Sequence, residues 1–251
     1  MKNLNSEKEE MENDIEKIYE DAEIVVINKP SGVLVHADGV SKEQTISDWV
    51  LKNYPETLDV GEESILKNGE KIMRHGIVHR LDKDTSGALL ICKTKKAYEY
   101  FKKLFQEKNI KKEYHALVYG VVKNDSGTID KPIGRHPTDF RRRLSEIWAR
   151  GEMREAITKY EVVKRGSDAT FIHAFPLTGR THQIRVHMKS ISHPVVCDSL
   201  YAPKGKCLFG INRLALHAHK ISWVNENGEE KQAIAPYPED FEKALGEFNK
   251  G

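Results

Sequence analysis

Hydrophobic residues follow two different spacings along this chain, and their alternation predicts the secondary structure. Runs of β-branched and other apolar residues predict strands at 23–28, 87–92, 113–122, 156–164, 169–177 and 214–224. Apolar positions at helical spacing predict helices at 45–54, 95–108, 179–191 and 238–248, with Ser47 expected to cap the first. Residues 225–228 predict a hairpin turn, and the polar residues 55–72 are expected to form a loop.

These elements indicate one α+β domain over residues 15–251, with strands in its centre and helices on its flanks. We find no internal repeat and no low-complexity linker in the sequence. Residues 1–14 are acidic and lack periodicity, so we expect them to form a disordered extension.

Composition excludes several classes of protein. No apolar run approaches the roughly 18 residues that a membrane helix needs, and the acidic N-terminal residues lack the apolar core of an export signal. We therefore expect a cytoplasmic monomer with no membrane contact. The three cysteines are widely spaced and form no Cys-x-x-Cys pair, so we expect reduced thiols rather than a disulfide or a zinc site.

Charge is distributed unevenly along the chain. Residues 1–70 contain 7 Lys and Arg against 17 Asp and Glu, whereas the other residues contain 33 against 21. Residues 1–70 therefore have a net charge of −10 and residues 71–251 a net charge of +12, although the total is only +2. A solvated charged face is the ordinary interpretation, but the basic part would also attract a polyanion such as RNA.

The densest polar cluster is His79-Arg80-Leu81-Asp82-Lys83-Asp84-Thr85-Ser86-Gly87, directly before a predicted buried strand. Burying such groups is unfavourable unless they pair with one another or take part in chemistry. Arg80 would help to keep Asp82 ionised and able to act as a nucleophile or base. A turn held by Asp and Thr side chains remains the structural alternative.

A second cluster is Gly179-Arg180-Thr181-His182-Gln183-Ile184-Arg185-Val186-His187. On a helix, His182 and Arg185 share one face, and this pattern could bind a phosphate or a carboxylate. A zinc site is poorly supported, since no cysteine or acidic residue accompanies these histidines at ligand spacing. An exposed basic helix remains the alternative.

Both clusters resemble motifs of the RluA-type family of pseudouridine synthases. Three further matches follow in the family's order: Ile27-Asn28-Lys29-Pro30-Ser31-Gly32, Lys112-Glu113-Tyr114-His115-Ala116-Leu117-Val118-Tyr119-Gly120 and Arg213-Leu214-Ala215-Leu216-His217-Ala218. The resemblance covers roughly residues 17–240. It implies the pseudouridine synthase catalytic fold, with a mixed, mostly antiparallel central sheet, and an isomerase that needs neither cofactor nor metal.

The resemblance also implies roles for individual residues. Asp82 matches the aspartate that attacks the target uridine so that its C1′–N1 bond breaks, Arg185 matches the arginine that pairs with this carboxylate, and Tyr114 matches the tyrosine that lies against uracil. Arg80 matches the arginine that fills the gap left by the extruded nucleotide, and Leu214 and Leu216 match the apolar pocket wall. The other residues that we assign to substrate binding are His79, Thr85, Arg180, His182 and Gln183.

Chemistry at C1′ and C5 requires an extruded nucleotide, and basic residues can offset the energy of unstacking through phosphate contacts. The stretch 135–154 contains six arginines, and we expect Arg141, Arg142 and Arg143 to contact RNA. Relatives often carry an N-terminal S4-type RNA-binding domain, which this sequence does not show. We therefore expect the catalytic domain itself to select a stem-loop in tRNA or ribosomal RNA.

Three other functions are weaker interpretations. A protein kinase would need a Gly-rich phosphate loop and an Asp-Phe-Gly triplet, and the sequence has neither. The 11 histidines show no coherent ligand set for a metal-dependent hydrolase. A non-catalytic RNA-binding protein on the same fold is the main alternative, although the candidate catalytic set of Asp82, Tyr114 and Arg185 is complete.

Overall fold

A computed structural model describes residues 15–39, 41, 43–65, 69, 71–145 and 149–250. The predicted acidic extension, residues 1–14, lies outside these ranges. Within them, no helix has both the length and the apolar character needed to cross a membrane.

The described residues form fourteen strands and four α-helices. The strands are β1 (Glu16–Glu20), β2 (Ile24–Lys29), β3 (Glu63–Ile65), β4 (Lys71–Met73), β5 (Ser86–Cys92), β6 (Lys111–Tyr119), β7 (Ser126–Asp130), β8 (Ile133–Arg135), β9 (Arg143–Leu144), β10 (Arg150–Arg154), β11 (Ile157–Arg165), β12 (Ala169–Pro176), β13 (Leu216–Val224) and β14 (Glu230–Ile234). The helices are α1 (Ile46–Asn53), α2 (Lys95–Gln106), α3 (Gln183–Ser190) and α4 (Glu239–Lys250). The predicted α+β fold with a mixed, mostly antiparallel sheet is confirmed.

The first of two compact units contains the described residues up to Ile110 together with Lys220–Pro236. Strand β2 pairs antiparallel with β1 on one side and with β5 on the other. All seven residues of β5 are buried, as a continuous apolar run predicts for a central strand. The apolar face of α2 packs into the same core through Ala97, Tyr98 and Phe101.

The second unit contains Lys111–His219 and Tyr237–Gly251. Its sheet has the order β6-β12-β11-β7, and each of these pairings is antiparallel. Helix α3 contributes Ile184 and Met188 to the core, and α4 contributes Phe241 and Phe248. A small sheet of order β10-β8-β9 carries most of the arginine-rich stretch.

Three details of the sequence prediction are wrong. Helix α1 is capped by Thr45 rather than Ser47, because Thr45 and Asp48 form a reciprocal capping box. Residues 55–72 are not simply a loop, since they contain a 3₁₀ turn at Pro55–Thr57, strand β3 and the first two residues of β4, which pairs antiparallel with β3. Cys197 and Cys207 form a disulfide with their Cα atoms 4.7 Å apart, while Cys92 is a buried free thiol.

Candidate functional site

Asp82 lies in a tight turn that ends where β5 begins. The backbone N–H of Thr85 donates to the carbonyl of Asp82 over 3.2 Å, and β5 starts at the next residue, Ser86. The Asp82 side chain is half-buried, whereas Thr85 is 2% exposed. The backbone around Asp82 therefore forms a turn, which was the structural alternative in the sequence analysis. This turn presents a partly accessible carboxylate where the buried strand β5 begins.

Lys29 fixes the far side of this turn. Its side chain is fully buried, and Nζ donates to the carbonyls of Pro30 (2.7 Å), Val33 (2.8 Å) and Lys83 (3.0 Å). Three carbonyl acceptors match the three donors of an ammonium group, which makes the burial of this charge tolerable. The hydroxyl of Ser31 also donates to the carbonyl of Asp84 over 2.7 Å. The Asn-Lys-Pro-Ser-Gly motif therefore acts as a clamp on the Asp82 turn.

His79 and Arg80, which precede Asp82, have different environments. The imidazole of His79 stacks on Phe105, and its Nε2 accepts from the N–H of Leu90 over 2.9 Å, so this residue is held by the unit's core. Arg80 is exposed. Burial, with help from the charge of Arg80, lowers the pKa of nearby His36 to about 4. His36 is therefore neutral at physiological pH, and its buried Nδ1 has no hydrogen-bond partner within the described residues.

Tyr114 lies on β6 in the second unit. It is half-buried against the unit's apolar core, and it is paired with Ala174 of β12. Lys112 shares the same side of the strand, because side chains two residues apart point the same way. Its Nζ donates to the carbonyl of Thr178 over 3.2 Å, and burial lowers the pKa of Lys112 to about 8.

Gln183, the first residue of α3, organises the turn before that helix. Its Oε1 accepts from the hydroxyl of Thr178 (2.6 Å) and the N–H of Arg180 (3.0 Å). Its Nε2 donates to the carbonyl of Ile157 (2.9 Å) and the hydroxyl of Thr158 (3.0 Å). The amide thus ties the start of α3 to β11, and Arg180 adds a hydrogen bond from Nε to the carbonyl of Glu155 (2.9 Å).

Arg185 forms a buried ion pair that the sequence did not reveal. Its Nε and Nη2 donate to the two carboxylate oxygens of Asp198 over 2.7 and 2.8 Å. Asp198 Oδ1 also accepts from the N–H groups of Leu200 and Tyr201. The pair uses two of the five N–H donors of the guanidinium, so it fixes the rotamer without excluding a further acceptor.

Tyr201 connects this ion pair to the arginine-rich stretch. Its ring lies 5.1 Å from the Arg185 guanidinium and 5.8 Å from that of Arg142. Its hydroxyl accepts from the N–H of Arg143 (2.8 Å) and lies 2.9 Å from Nδ1 of His182. Residues that the sequence assigned to two separate clusters therefore meet around one buried tyrosine.

The three consecutive arginines differ in their contacts. Arg141 makes a two-point pair with Asp139, and Arg143 donates to the carbonyls of Phe140 and Arg142. Nε of Arg142 is buried and has no hydrogen-bond partner among the described residues. Of the three, Arg142 therefore has the clearest unmet capacity to donate to a bound anion or carbonyl.

The two leucines expected in the pocket wall belong to the core of the second unit. Leu214 and Leu216 are each 3% exposed and pack in the same cluster as Tyr114. The sequence analysis also missed the roles of Lys29, His36, Asp198 and Tyr201. For Asp198 a signal was available, because an acidic residue directly after the apolar run Val195-Val196-Cys197 needs a buried partner.

Comparisons with known proteins identify the family. The sequence profile of the RNA pseudouridylate synthase family matches residues 23–190. The chain is 38% identical over 229 residues to an uncharacterized RNA pseudouridine synthase of Synechocystis sp., covering 91% of this chain and 67% of the relative. It is 36% identical over 236 residues to ribosomal large subunit pseudouridine synthase D of Vibrio parahaemolyticus, covering 89% and 67%.

Solved structures show the same fold. Human RNA pseudouridylate synthase domain containing 1 superposes with a TM-score of 0.69 at 26% identity, over 90% of this chain and 85% of that protein. Human RNA pseudouridylate synthase domain containing 4 gives a TM-score of 0.74 at 21% identity over 98% of each chain, which supports the fold. The chain therefore belongs to the RNA pseudouridylate synthase family and is a pseudouridine synthase, an isomerase that modifies RNA.

Proposed function

We propose that this enzyme isomerises a specific uridine of structured large-subunit ribosomal RNA, with Asp82 as the nucleophile. The observation that carries the proposal is the half-buried Asp82 turn, which is clamped by the buried ammonium of Lys29 at the entrance of β5. A nucleophile that must attack within an extruded nucleotide benefits from such a fixed position. The choice of ribosomal RNA over tRNA rests on relatives named for the ribosomal large subunit.

The reaction is balanced without any second substrate. The Asp82 carboxylate attacks the uridine, the C1′–N1 bond breaks, and the freed uracil rotates. C1′ is then joined to C5, and the bond between the Asp82 carboxylate and the nucleotide breaks, which restores the free carboxylate. The C5 proton is lost and N1 gains a proton, so that the product is an isomer of the substrate. We assign Tyr114 to contact with the uracil face and to removal of the C5 proton, a role that suits a half-buried phenol.

The remaining candidate residues bind or position the substrate. We propose that Arg80, which is exposed, fills the space left by the extruded nucleotide. By the family resemblance we assign Arg185 to pairing with the catalytic carboxylate, and Asp198 fixes the rotamer of this arginine. The loop that carries Arg142 contacts the RNA backbone. We assign Gln183 and His182 to positioning the start of α3, since Gln183 donates to the carbonyl of Ile157 and His182 is hydrogen-bonded to the hydroxyl of Tyr201.

The direct test compares two carboxylates of the same turn. We expect Asp82→Asn to lower the rate of pseudouridine formation by about 10⁴-fold or more, as for the loss of a covalent nucleophile, with RNA affinity retained. Asp84→Asn is the matched control and should keep near-normal activity. Substrates are large-subunit ribosomal RNA and bulk tRNA, with and without a chelator. Equal activity of the two variants would reject Asp82, and exclusive activity on tRNA would reject the proposed substrate.

A further inference from the structure

Three imidazole rings stack in a row within the second unit. His115 of β6 lies directly opposite His173 of β12, with ring centroids 3.8 Å apart and an interplanar angle of 6°. On its other side, His115 stacks on His219 of β13, with centroids 4.0 Å apart. Residues more than a hundred positions apart in the sequence thus form one cluster through strand pairing.

A carboxylate completes this cluster. Glu113 lies two residues before His115 and so shares its face of β6. Its Oε1 is 3.0 Å from Nε2 of His115 and 3.7 Å from Nδ1 of His173. One ligand atom from each of these three residues lies within 4.8 Å of the other two. The side chains of Glu113, His115 and His173 are 14%, 5% and 28% exposed, so the cluster is shielded but still reached by solvent.

We propose that Glu113, His115 and His173 bind a zinc ion. Zinc takes imidazole nitrogens and carboxylate oxygens at about 2.0–2.2 Å, which for tetrahedral geometry places neighbouring ligand atoms about 3.4 Å apart. The two measured separations lie on either side of this value. A set of two imidazoles and one carboxylate also suits zinc better than magnesium or calcium, which prefer oxygen ligands alone. A water molecule would supply the fourth ligand.

The surroundings support ligation by His115. Its other ring nitrogen, Nδ1, is hydrogen-bonded to the hydroxyl of Tyr237. When Nδ1–H donates to that oxygen, the lone pair of Nε2 is directed towards the ion, which is the usual support for a ligating histidine. Parallel rings do not aim their lone pairs at one point, so binding requires a tilt of His173, the most exposed member of the set.

The position of the site indicates a structural role. Tyr114 lies between Glu113 and His115 in the sequence, so its side chain points to the opposite face of β6. An ion bound here would link β6 to β12 on the face of the sheet opposite Tyr114. It would not contact the reacting nucleotide. The inference is thus independent of the proposed reaction, whose activity should withstand a chelator.

Zinc affinity tests the ligand set. Untagged full-length protein is stripped with a chelator and titrated with Zn²⁺ against a chromophoric competitor, after circular dichroism has confirmed folding of each variant. We expect one ion per chain, and an affinity at least tenfold weaker in Glu113→Gln and in His173→Asn. His219→Phe keeps a stacked ring but contributes no ligand, so it should bind like the wild type. Absence of stoichiometric binding, or equal affinity of all four proteins, would overturn the site.

X-ray absorption at the zinc edge and thermal unfolding give readouts other than activity. The spectrum of the loaded wild type should show two imidazoles at about 2.0 Å, and that of His173→Asn only one. Saturating zinc should raise the Tm of the wild type but leave that of His173→Asn unchanged, since an ion stabilises only the state that binds it. An oxygen-only shell, or an equal Tm rise in both proteins, would contradict the assignment.

Discussion

The buried ammonium group of Lys29 holds the turn that carries Asp82, and its loss should affect both stability and catalysis. Lys29→Met keeps the length of the side chain but leaves three carbonyl acceptors without their donor. We expect the free energy of unfolding to fall by about 3 kcal/mol. Because the clamp sets the position of the nucleophile, kcat for pseudouridine formation should fall more than KM rises.

Urea unfolding and steady-state kinetics measure these two effects. Lys71→Met is the control, since Lys71 pairs with Glu63 on the surface and such pairs contribute about 1 kcal/mol at most. If both variants lost the same stability and the same kcat, the clamp would have no special role.

Asp198 makes a second prediction at the residue scale. Asp198→Asn removes the carboxylate that pairs with the buried Arg185 guanidinium at two points, and breaking a buried pair in this way costs about 3–5 kcal/mol. The same unit offers a matched control, because Asp240 forms an equivalent two-point pair with Arg213 but is 44% exposed. Asp240→Asn should cost about 1 kcal/mol or less. Chemical denaturation of the two variants compares them directly, and equal losses would be inconsistent with a buried ion pair at Asp198.

At the scale of elements, periodicity predicted all four helices and six of the fourteen strands of the described residues, because these elements bury one face or all faces. Strand β5, which is buried throughout, and helix α2, which buries one side, were both predicted within two residues. The β3–β4 hairpin was missed because its strands have three residues each and bury little. Such short elements leave no periodic signal.

The candidate site was predicted less completely than the fold, for a physical reason. Motif residues such as Asp82 and Tyr114 were identified by resemblance, whereas their supports depend on contacts between distant parts of the chain. Asp198 and Tyr201 lie outside all five motifs, and they contact Arg185 and the arginine-rich stretch only in the folded chain. Spacing along a sequence does not report such pairings.

The arginine loop, residues 139–143, is the element expected to bind the RNA backbone. Arg142→Ala should reduce the slope of log affinity against log salt by about 0.7–0.9, because one phosphate contact is lost. Arg141 is already paired with Asp139, so the double variant Asp139→Asn, Arg141→Gln removes that pair without changing the net charge. This control should bind RNA as the wild type does. Filter binding at several salt concentrations measures this slope. If Arg142→Ala had the same slope of log affinity against log salt as the wild type, the loop would not contact the RNA backbone through Arg142.

At the scale of the whole molecule, the uneven distribution of charge along the chain favours binding to a polyanion, although the total net charge is only +2. Residues 71–251 have a net charge of +12, to which the arginine loop, Arg180 and Arg185 contribute. The net charge of −10 belongs to the first 70 residues. Screening by salt weakens attraction to RNA but leaves buried pairs such as Arg185–Asp198 largely intact. Binding should therefore depend on ionic strength far more than folding does.

Acid should begin to destabilise the folded protein at a higher pH than that at which its carboxylates start to take up protons. Burial, with the nearby charges of Arg80, Arg74 and His75, lowers the pKa of His36 from 6.5 to about 4, and burial also lowers that of His187. The unfolded chain therefore takes up these protons at a higher pH than the folded protein does. The contribution of His36 to the free energy of unfolding is complete above pH 6.5 and is lost as the pH drops towards 4, by up to about 1.4 kcal/mol per pH unit, and His187 acts in the same direction. Urea unfolding from about pH 7.5 to about pH 4.5 covers most of this window. The free energy of unfolding should depend less steeply on pH in His36→Gln than in the wild type. An identical slope in the two proteins would mean that His36 is not buried in its neutral form.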